Sequence, residues 1–433
     1  MNNTIKAVWQ TIFDRCRIVE SVKKNGGFDI SAEQIRRIGG KEPRIMAKWD
    51  SQASVPEVFV KNNLGLISTS RKGYRIAPFN LFHKIEADKL YASKIQYREI
   101  PTWMLSLGES LRERSEPGLL SSCYASGIIA EYANANKGEA LPGIFGRLTT
   151  GKMTFSLGGI GDYAGKRIAV ACDGIQFEID SSYESPEMML VIEAKNYLLD
   201  DFNLRQLYFP WRYLRDLIKK PIRPLFVMRS NEVISVCEYE FMEVDEMDSL
   251  KLVSANRYSF SDTEITTRDL SDLLATIKRT KRADDKVFPQ ADRMELVIDL
   301  CERLRNAPAE TGDIAGGLTY VYRQGQYYSQ AAQFLELVEK SKKSVYALTT
   351  EGLRIFNLPY KKRMLELAKK MLQYRVFFRC LDFTLRNAAL PDSGTVAKWI
   401  LEDKWPMNIT TAHRRASSVI AWIRWLINLV DNV

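Results

Sequence analysis

A chain of 433 residues exceeds what one ordinary core accommodates, so about two to four domains are expected. Hydrophobic residues make up 45% and charged residues 27%, a mix that supports packed globular structure and excludes extended disorder. The formal net charge of +9 is local: residues 301–433 hold 20 Lys/Arg against 12 Asp/Glu, while the rest hold 42 against 41. A local basic surplus suits a polyanionic partner, of which nucleic acid is the commonest; the plain alternative is a basic protein with no such partner. Six cysteines lie far apart with no C-x-x-C pair, and His83 and His413 are the only histidines, which argues against a zinc site and against histidine acid–base chemistry. Scattered thiols fit a reducing compartment, where they act as small core hydrophobes. The opening MNNTIKAVWQTIFDRCR has no continuous apolar core of signal length, and the apolar stretch 419–430 is interrupted by Arg424 and too short for a bilayer. A soluble, cytoplasmic protein is expected.

Residues 1–95 begin with an amphipathic helix through Val8, Ile12, Phe13, Cys16 and Val19. A second helix starts near Ile30-Ser31, with Ser31 as N-cap and Gln34 at the third helical position. Short strands at 66–69 and 74–76 follow, joined by the turn Arg71-Lys72-Gly73. Helices followed by a hairpin predict a small winged-helix-like module.

Over 100–258 the pattern predicts a helix at 115–132 with Leu119, Leu120, Cys123, Ile128 and Ile129 on its apolar side. Strands are expected at 167–172, 175–180, 188–194, 225–228 and 233–239. A helix at 204–218, begun or kinked by Pro210, lies between the third and fourth. This order reads as an α/β (α+β) layered core. A polar connector, about 259–292, leads to residues 293–433. There a helix at 329–338, a short strand at 344–348, a turn at Thr350-Glu351-Gly352 and helices at 364–384 and 417–430 fit a second winged-helix-like module. The mainly α terminal modules thus flank a core with a mixed β-sheet and helices.

The chemistry is concentrated in Ile175-Gln176-Phe177-Glu178-Ile179-Asp180 and in Val191-Ile192-Glu193-Ala194-Lys195, whose Glu193 lies thirteen residues after Asp180. Side chains alternate along a strand, so Glu193 and Lys195 emerge together while Ala194 points into the packing. Pairing of the two strands as a hairpin would bring acid, acid and amine to one sheet end. Phosphodiester hydrolysis needs an activated water and neutralisation of charge on phosphorus. Asp180 and Glu193 can hold Mg²⁺ for both purposes, the Ala194 carbonyl can add an oxygen ligand, and the Lys195 ammonium can stabilise developing charge. Asp173 and Glu178 are alternatives to Asp180 that geometry must choose among. The bare acid-x-lysine pattern also occurs at Glu402-Asp403-Lys404 and Asp284-Asp285-Lys286, but no apolar strand precedes either. A strand as apolar as 188–192 is an expensive place to end on an acid unless something binds there.

With EID followed by VIEAKN, the chain resembles the PD-(D/E)XK nucleases of the restriction-endonuclease-like class, with Asp180 at the motif's Asp and Glu193 and Lys195 in its E-x-K. Ile179 stands where the motif's name has Pro. The resemblance implies a restriction-endonuclease-like core and a catalytic role for Gln206, in the helix after the E-x-K. It also implies a supporting acid near the metal site, for which Glu116 at the start of the preceding helix is the candidate. The run Arg44 to Asp50 with Pro56, Phe59 and Arg71-Lys72-Gly73-Tyr74 is similar to an N-terminal region of some bacterial type II restriction enzymes. Arg323-Gln324, Tyr327-Tyr328, Leu348 to Gly352 and the run from Arg414 to Leu426 resemble a helical module attached to such nucleases.

Phosphate or base contacts are expected from Arg44, Lys48, Arg71 and Lys72 in the first module and from Arg323, Gln324, Arg414 and Arg415 in the last. The expectation is therefore a Mg²⁺-dependent type II restriction endonuclease cutting double-stranded DNA at a short sequence. A homodimer would match palindromic sites, and a cognate DNA methyltransferase is the expected genetic partner. The alternatives are a DNA-binding transcriptional regulator with an inert nuclease-like domain, or a repair or defence nuclease reading DNA structure or modified bases. An RNase is a further reading, but no RNA-type aromatic platform stands out.

Overall fold

The N-terminal helix Asn3–Cys16 presents Trp9, Ile12 and Phe13 to an apolar cluster completed by Trp49 and Phe59. The computed structural model describes residues 3–101, 103–104, 115–260, 264–277, 287–310, 322–341 and 345–430. Phe59 meets Trp9, Phe13 and Trp49 edge to face at centroid separations of 4.9, 4.7 and 4.6 Å, a geometry the ring quadrupoles favour. The Trp9 indole N–H donates to the Met46 carbonyl at 3.1 Å, which fixes the segment carrying Arg44 and Lys48.

Ser31 caps the helix Ala32–Gly39 as expected: its hydroxyl accepts the Gln34 N–H at 3.0 Å, and the Gln34 side chain accepts the Ser31 N–H at 2.8 Å. Ser31→Ala should therefore cost about 1 kcal/mol, read as a lowered urea midpoint with unchanged slope. The strands Gly65–Ser68 and Gly73–Ala77 pair antiparallel, and Phe28–Ser31 joins the far side of Gly73–Ala77.

Two compact units divide the chain, the first comprising Met1–Ser93, Arg98–Arg229 and Ile234–Tyr258, and the second Lys94–Tyr97, Ser230–Val233 and Ser259–Val433. The first 93 residues and the α/β core thus belong to one unit. Its architecture is mixed α/β. The central sheet is mixed, because Met189–Lys195 runs antiparallel to Ser181–Glu184 and parallel to Ile222–Ser230. Between the parallel strands the chain crosses over through the helix Arg205–Leu217, which contains Pro210. Beyond Ile222–Ser230 follow Val233–Phe241 and then Leu250–Ser259, the last not foreseen from sequence.

Two expectations for the core are corrected. The helix expected at 115–132 is two, Glu116–Ala125 and Ile128–Tyr132, because Gly127 adopts a left-handed conformation (φ +88°) that ends the first. The expected hairpin of 175–180 with 188–194 is not formed by those residues. Gln176–Ile179 pairs with Gly146–Thr149, the chain breaks at Asp180, and a new strand, Ser181–Glu184, pairs with Met189–Lys195. The first acid sits at that break, next to the motif strand's end.

In the second unit the helices Met294–Asn306, Tyr322–Phe334, Tyr360–Leu372, Arg375–Asn387, Ser393–Glu402 and Ile409–Ile427 accompany a small sheet containing Val338–Lys340 and Val345–Leu348. Phe334, Tyr374, Phe377, Trp405 and Trp422 form its aromatic core. The expected turn at 350–352 is instead the first turn of the helix Thr350–Phe356, since the Thr349 hydroxyl accepts the Gly352 N–H at 2.9 Å. The expected helix at 364–384 is split between Tyr360–Leu372 and Arg375–Asn387. All six cysteines are free thiols, and no helix among the described residues is long and apolar enough to cross a membrane.

Candidate active site

The strand Met189–Lys195 is buried along its whole length, so Glu193 and Lys195 leave the sheet with side chains only 10% exposed. Burying two ionised groups is costly unless each is paired. Here Lys195 Nζ donates to Glu193 Oε1 at 2.6 Å and to the Ala194 carbonyl at 2.9 Å. Asp180 reaches in from the strand break: its Oδ2 accepts the Ala194 N–H at 2.9 Å and lies 4.0 Å from Lys195 Nζ. Glu116, in the first turn of its helix, places Oε1 3.7 Å from the same ammonium. Gln206, the second residue of the helix after the motif, donates Nε2 to Glu193 Oε1 at 2.5 Å, while its own buried Oε1 has no hydrogen-bond partner among the described residues.

Three carboxylates thus surround one ammonium. Burial pushes the Glu193 carboxyl up to about 7 even though Lys195 opposes the shift, and burial likewise raises Glu116. Burial disfavours the Lys195 charge too, but Glu193, Glu116 and Asp180 outweigh it and hold the ammonium above its ordinary pKa. Among the described residues, no group of three or more His, Cys, Asp or Glu side chains is gathered for a metal ion as they stand. The donor set nevertheless suits a hard cation: three oxygen-bearing acids in excess of one amine, with an unpartnered amide oxygen beside them.

These residues line a cleft of about 440 Å³, together with Arg44, Lys48, Arg71, Arg147 and Arg205. Acidic and buried groups lie deep in it, while Arg44, Lys48, Arg71 and Arg147 are exposed. A rim of cations over an acidic interior matches a polyanion whose reacting group is to be held near an anionic centre. The rim is tied to the interior through Asp50, whose Oδ1 pairs with Arg205 at 3.0 Å and whose carbonyl accepts the Asn203 N–H at 3.1 Å. Asn203 Nδ2 donates to the Trp49 carbonyl at 2.9 Å, and Asp201 Oδ1 accepts the Gln52 N–H at 2.6 Å.

Of the alternatives to Asp180, Glu178 lies 3.7 Å from Arg147 and Asp173 borders a separate groove with Thr69 and Cys172. Asp180 is the acid that lies beside Glu193 and Lys195. The Ala194 carbonyl, expected as a metal ligand, is engaged by Lys195. Lys72 is exposed and is not among the residues lining the cleft, since the turn directs its neighbour Arg71 there instead. Arg414 and Arg415 lie on Ile409–Ile427 of the second unit, Arg414 exposed and Arg415 half-buried; burial and then Arg414 lower the Arg415 pKa. The side chains of Arg323 and Gln324 lie outside the described residues, as does Asp284-Asp285-Lys286.

Sequence reasoning did not single out Arg147, Asp50 or Arg205 as site residues. Arg147 belongs to a short strand with no local motif, and only its pairing opposite Glu178 brings it to the cleft. Arg205 had a signal, its place directly before Gln206.

Three family models match in succession, each a domain of unknown function: residues 6–76 (DUF6996), residues 77–259 (DUF6997) and residues 296–431 (DUF7226). No curated protein and no solved structure matches the chain.

Proposed function

We propose that the chain is a Mg²⁺-dependent nuclease hydrolysing phosphodiester bonds of double-stranded DNA, and more finely a type II restriction endonuclease. In this reading the core is restriction-endonuclease-like and the flanking modules are winged-helix-like. The observation that carries it is the meeting of Asp180, Glu193, Lys195 and Gln206 in one cleft rimmed by Arg44, Lys48, Arg71, Arg147 and Arg205.

Mg²⁺ held by Asp180 and Glu193, with Glu116 in support, would polarise the phosphate and lower the pKa of a bound water. The chain's own groups do the rest. The rim cations neutralise backbone phosphates on either side of the reacting one. Lys195, kept protonated by its acidic neighbours, faces the negative charge that builds on the phosphoryl oxygens. Gln206 orients the Glu193 carboxylate through its amide N–H and presents a free carbonyl oxygen able to accept from a water. A two-fold dimer with one centre per strand and a companion methyltransferase follow from the restriction reading.

Incubation of purified protein with plasmids of several methylation states should give defined fragments in Mg²⁺ and none in EDTA. Retained DNA binding without fragments or smearing on any of them would instead leave a DNA-binding regulator.

A further inference from the structure

Residues 141–149 run antiparallel alongside 176–184 with one register on both sides of the break at Asp180. Leu141 and Pro142 oppose Glu184 and Tyr183, and Gly146 to Thr149 oppose Ile179 to Gln176. The intervening residues are equal in number on the two chains, which sets Phe145 opposite Asp180. The loop is held there by specific contacts. The Gly143 N–H donates to the Ser182 carbonyl at 2.8 Å, and the buried Ser182 hydroxyl donates to the Ile144 carbonyl at 2.6 Å. Gly146, at φ +98°, turns the chain immediately after Phe145, a conformation any side chain would resist.

The tip so fixed is apolar and open: Phe145 is 74% exposed, Leu141 59% and Ile144 42%. Leu141, Ile144 and Phe145 lie outside the lining of the cleft, which charged and aromatic side chains share, but Phe145 is in register with Asp180 at its edge; three exposed apolar side chains there suit an apolar surface that arrives with a polyanion. Stacked bases are that surface. Arg147, two residues on and lining the cleft opposite Glu178, stands where a phosphate next to such a base would lie.

We propose that Phe145, supported by Ile144, is a wedge that enters duplex DNA at the step beside the reacting phosphate and unstacks it. The cleft then acts on locally opened duplex. Wedges of this kind expend unstacking free energy on each step they open, and a step already weakened spares that cost. The inference rests on the reading of the cleft as a DNA site, and its test separates the two.

Binding of a fluorescein-labelled 30-base-pair duplex and of the same duplex with a central two-base mismatch is measured by anisotropy in Ca²⁺. Wild-type protein, Phe145→Ala and Phe145→Trp are compared, with plasmid cleavage in Mg²⁺ run in parallel. The wild type should prefer the mismatched duplex about tenfold, Phe145→Ala less than about twofold, and Phe145→Trp as the wild type does. An unchanged preference in Phe145→Ala, or none in the wild type, overturns the wedge. If the wild type cuts plasmid while Phe145→Ala keeps the full preference, the wedge fails and the nuclease stands. If the preference depends on Phe145 but nothing is cut, the wedge stands and the nuclease reading fails.

Discussion

Lys195→Ala is expected to lower plasmid cleavage in Mg²⁺ by about 10²–10³-fold or more while leaving DNA affinity within a few fold. The ammonium touches Glu193 and Ala194 and lies near Asp180 and Glu116, among buried groups rather than with the exposed rim cations proposed to meet phosphates. Its removal therefore takes away transition-state charge stabilisation and spares ground-state binding. It also leaves three carboxylates facing one another without the ammonium between them. The melting temperature of Lys195→Ala should consequently fall in EDTA and recover on adding Mg²⁺, more than the wild type's does. A variant that binds DNA poorly, or that Mg²⁺ does not restabilise, would make Lys195 a structural residue.

Glu193→Gln should weaken a pH dependence that the wild type displays. The Glu193 carboxyl is raised from 4.5 to about 7 by burial in the metal-free fold. Below about pH 4.5 it is protonated in both folded and unfolded chains and contributes no pH dependence. Between that pH and about 7 the unfolded chain has released the proton and the folded chain has not, so stability falls as pH rises, by an amount on the order of 1–3 kcal/mol. Above about 7 the cost is complete and constant. Mg²⁺ competes with that proton, so the Mg²⁺-induced rise in melting temperature should be larger at pH 8 than at pH 6. In Glu193→Gln the falling limb should shrink, most of all near pH 7, leaving the part due to Asp201, raised to about 6, and to Glu116; the pH-dependent part of the Mg²⁺ response should shrink with it, and cleavage should be lost. Melting curves in urea across this range, with and without Mg²⁺, check the sign directly.

Much of the site was legible because it rests on local rules. Alternation along one buried strand is enough to send Glu193 and Lys195 to the same place, whereas Gln206 was singled out by the resemblance alone. The capping box at Ser31 was likewise visible as two residues at fixed spacing. What escaped depended on pairing between distant segments. The break at Asp180 arises because residues 176–179 find a partner at 146–149 while 181–184 pair elsewhere, and no periodicity in 175–184 signals two partners. Arg147 and Phe145 were invisible for the same reason, since their meaning comes from register with 178 and 180. That Lys195 reaches the Ala194 carbonyl was not legible either, because strand geometry says where a carbonyl is, but not which neighbouring donor reaches it.

The bonds between Trp49–Gln52 and Asp201–Arg205 bear on how such a protein can diversify. A boundary between family models falls at residues 76 and 77, which invites treating the first segment as a portable reader. Yet it is stitched to the short strand Asp201–Asn203 and to Arg205, which together lead into the helix carrying Gln206. A chimaera that exchanges only residues 1–76 would strand those partners, whereas one that carries residues 201–205 with it should inherit both a new rim and a working centre.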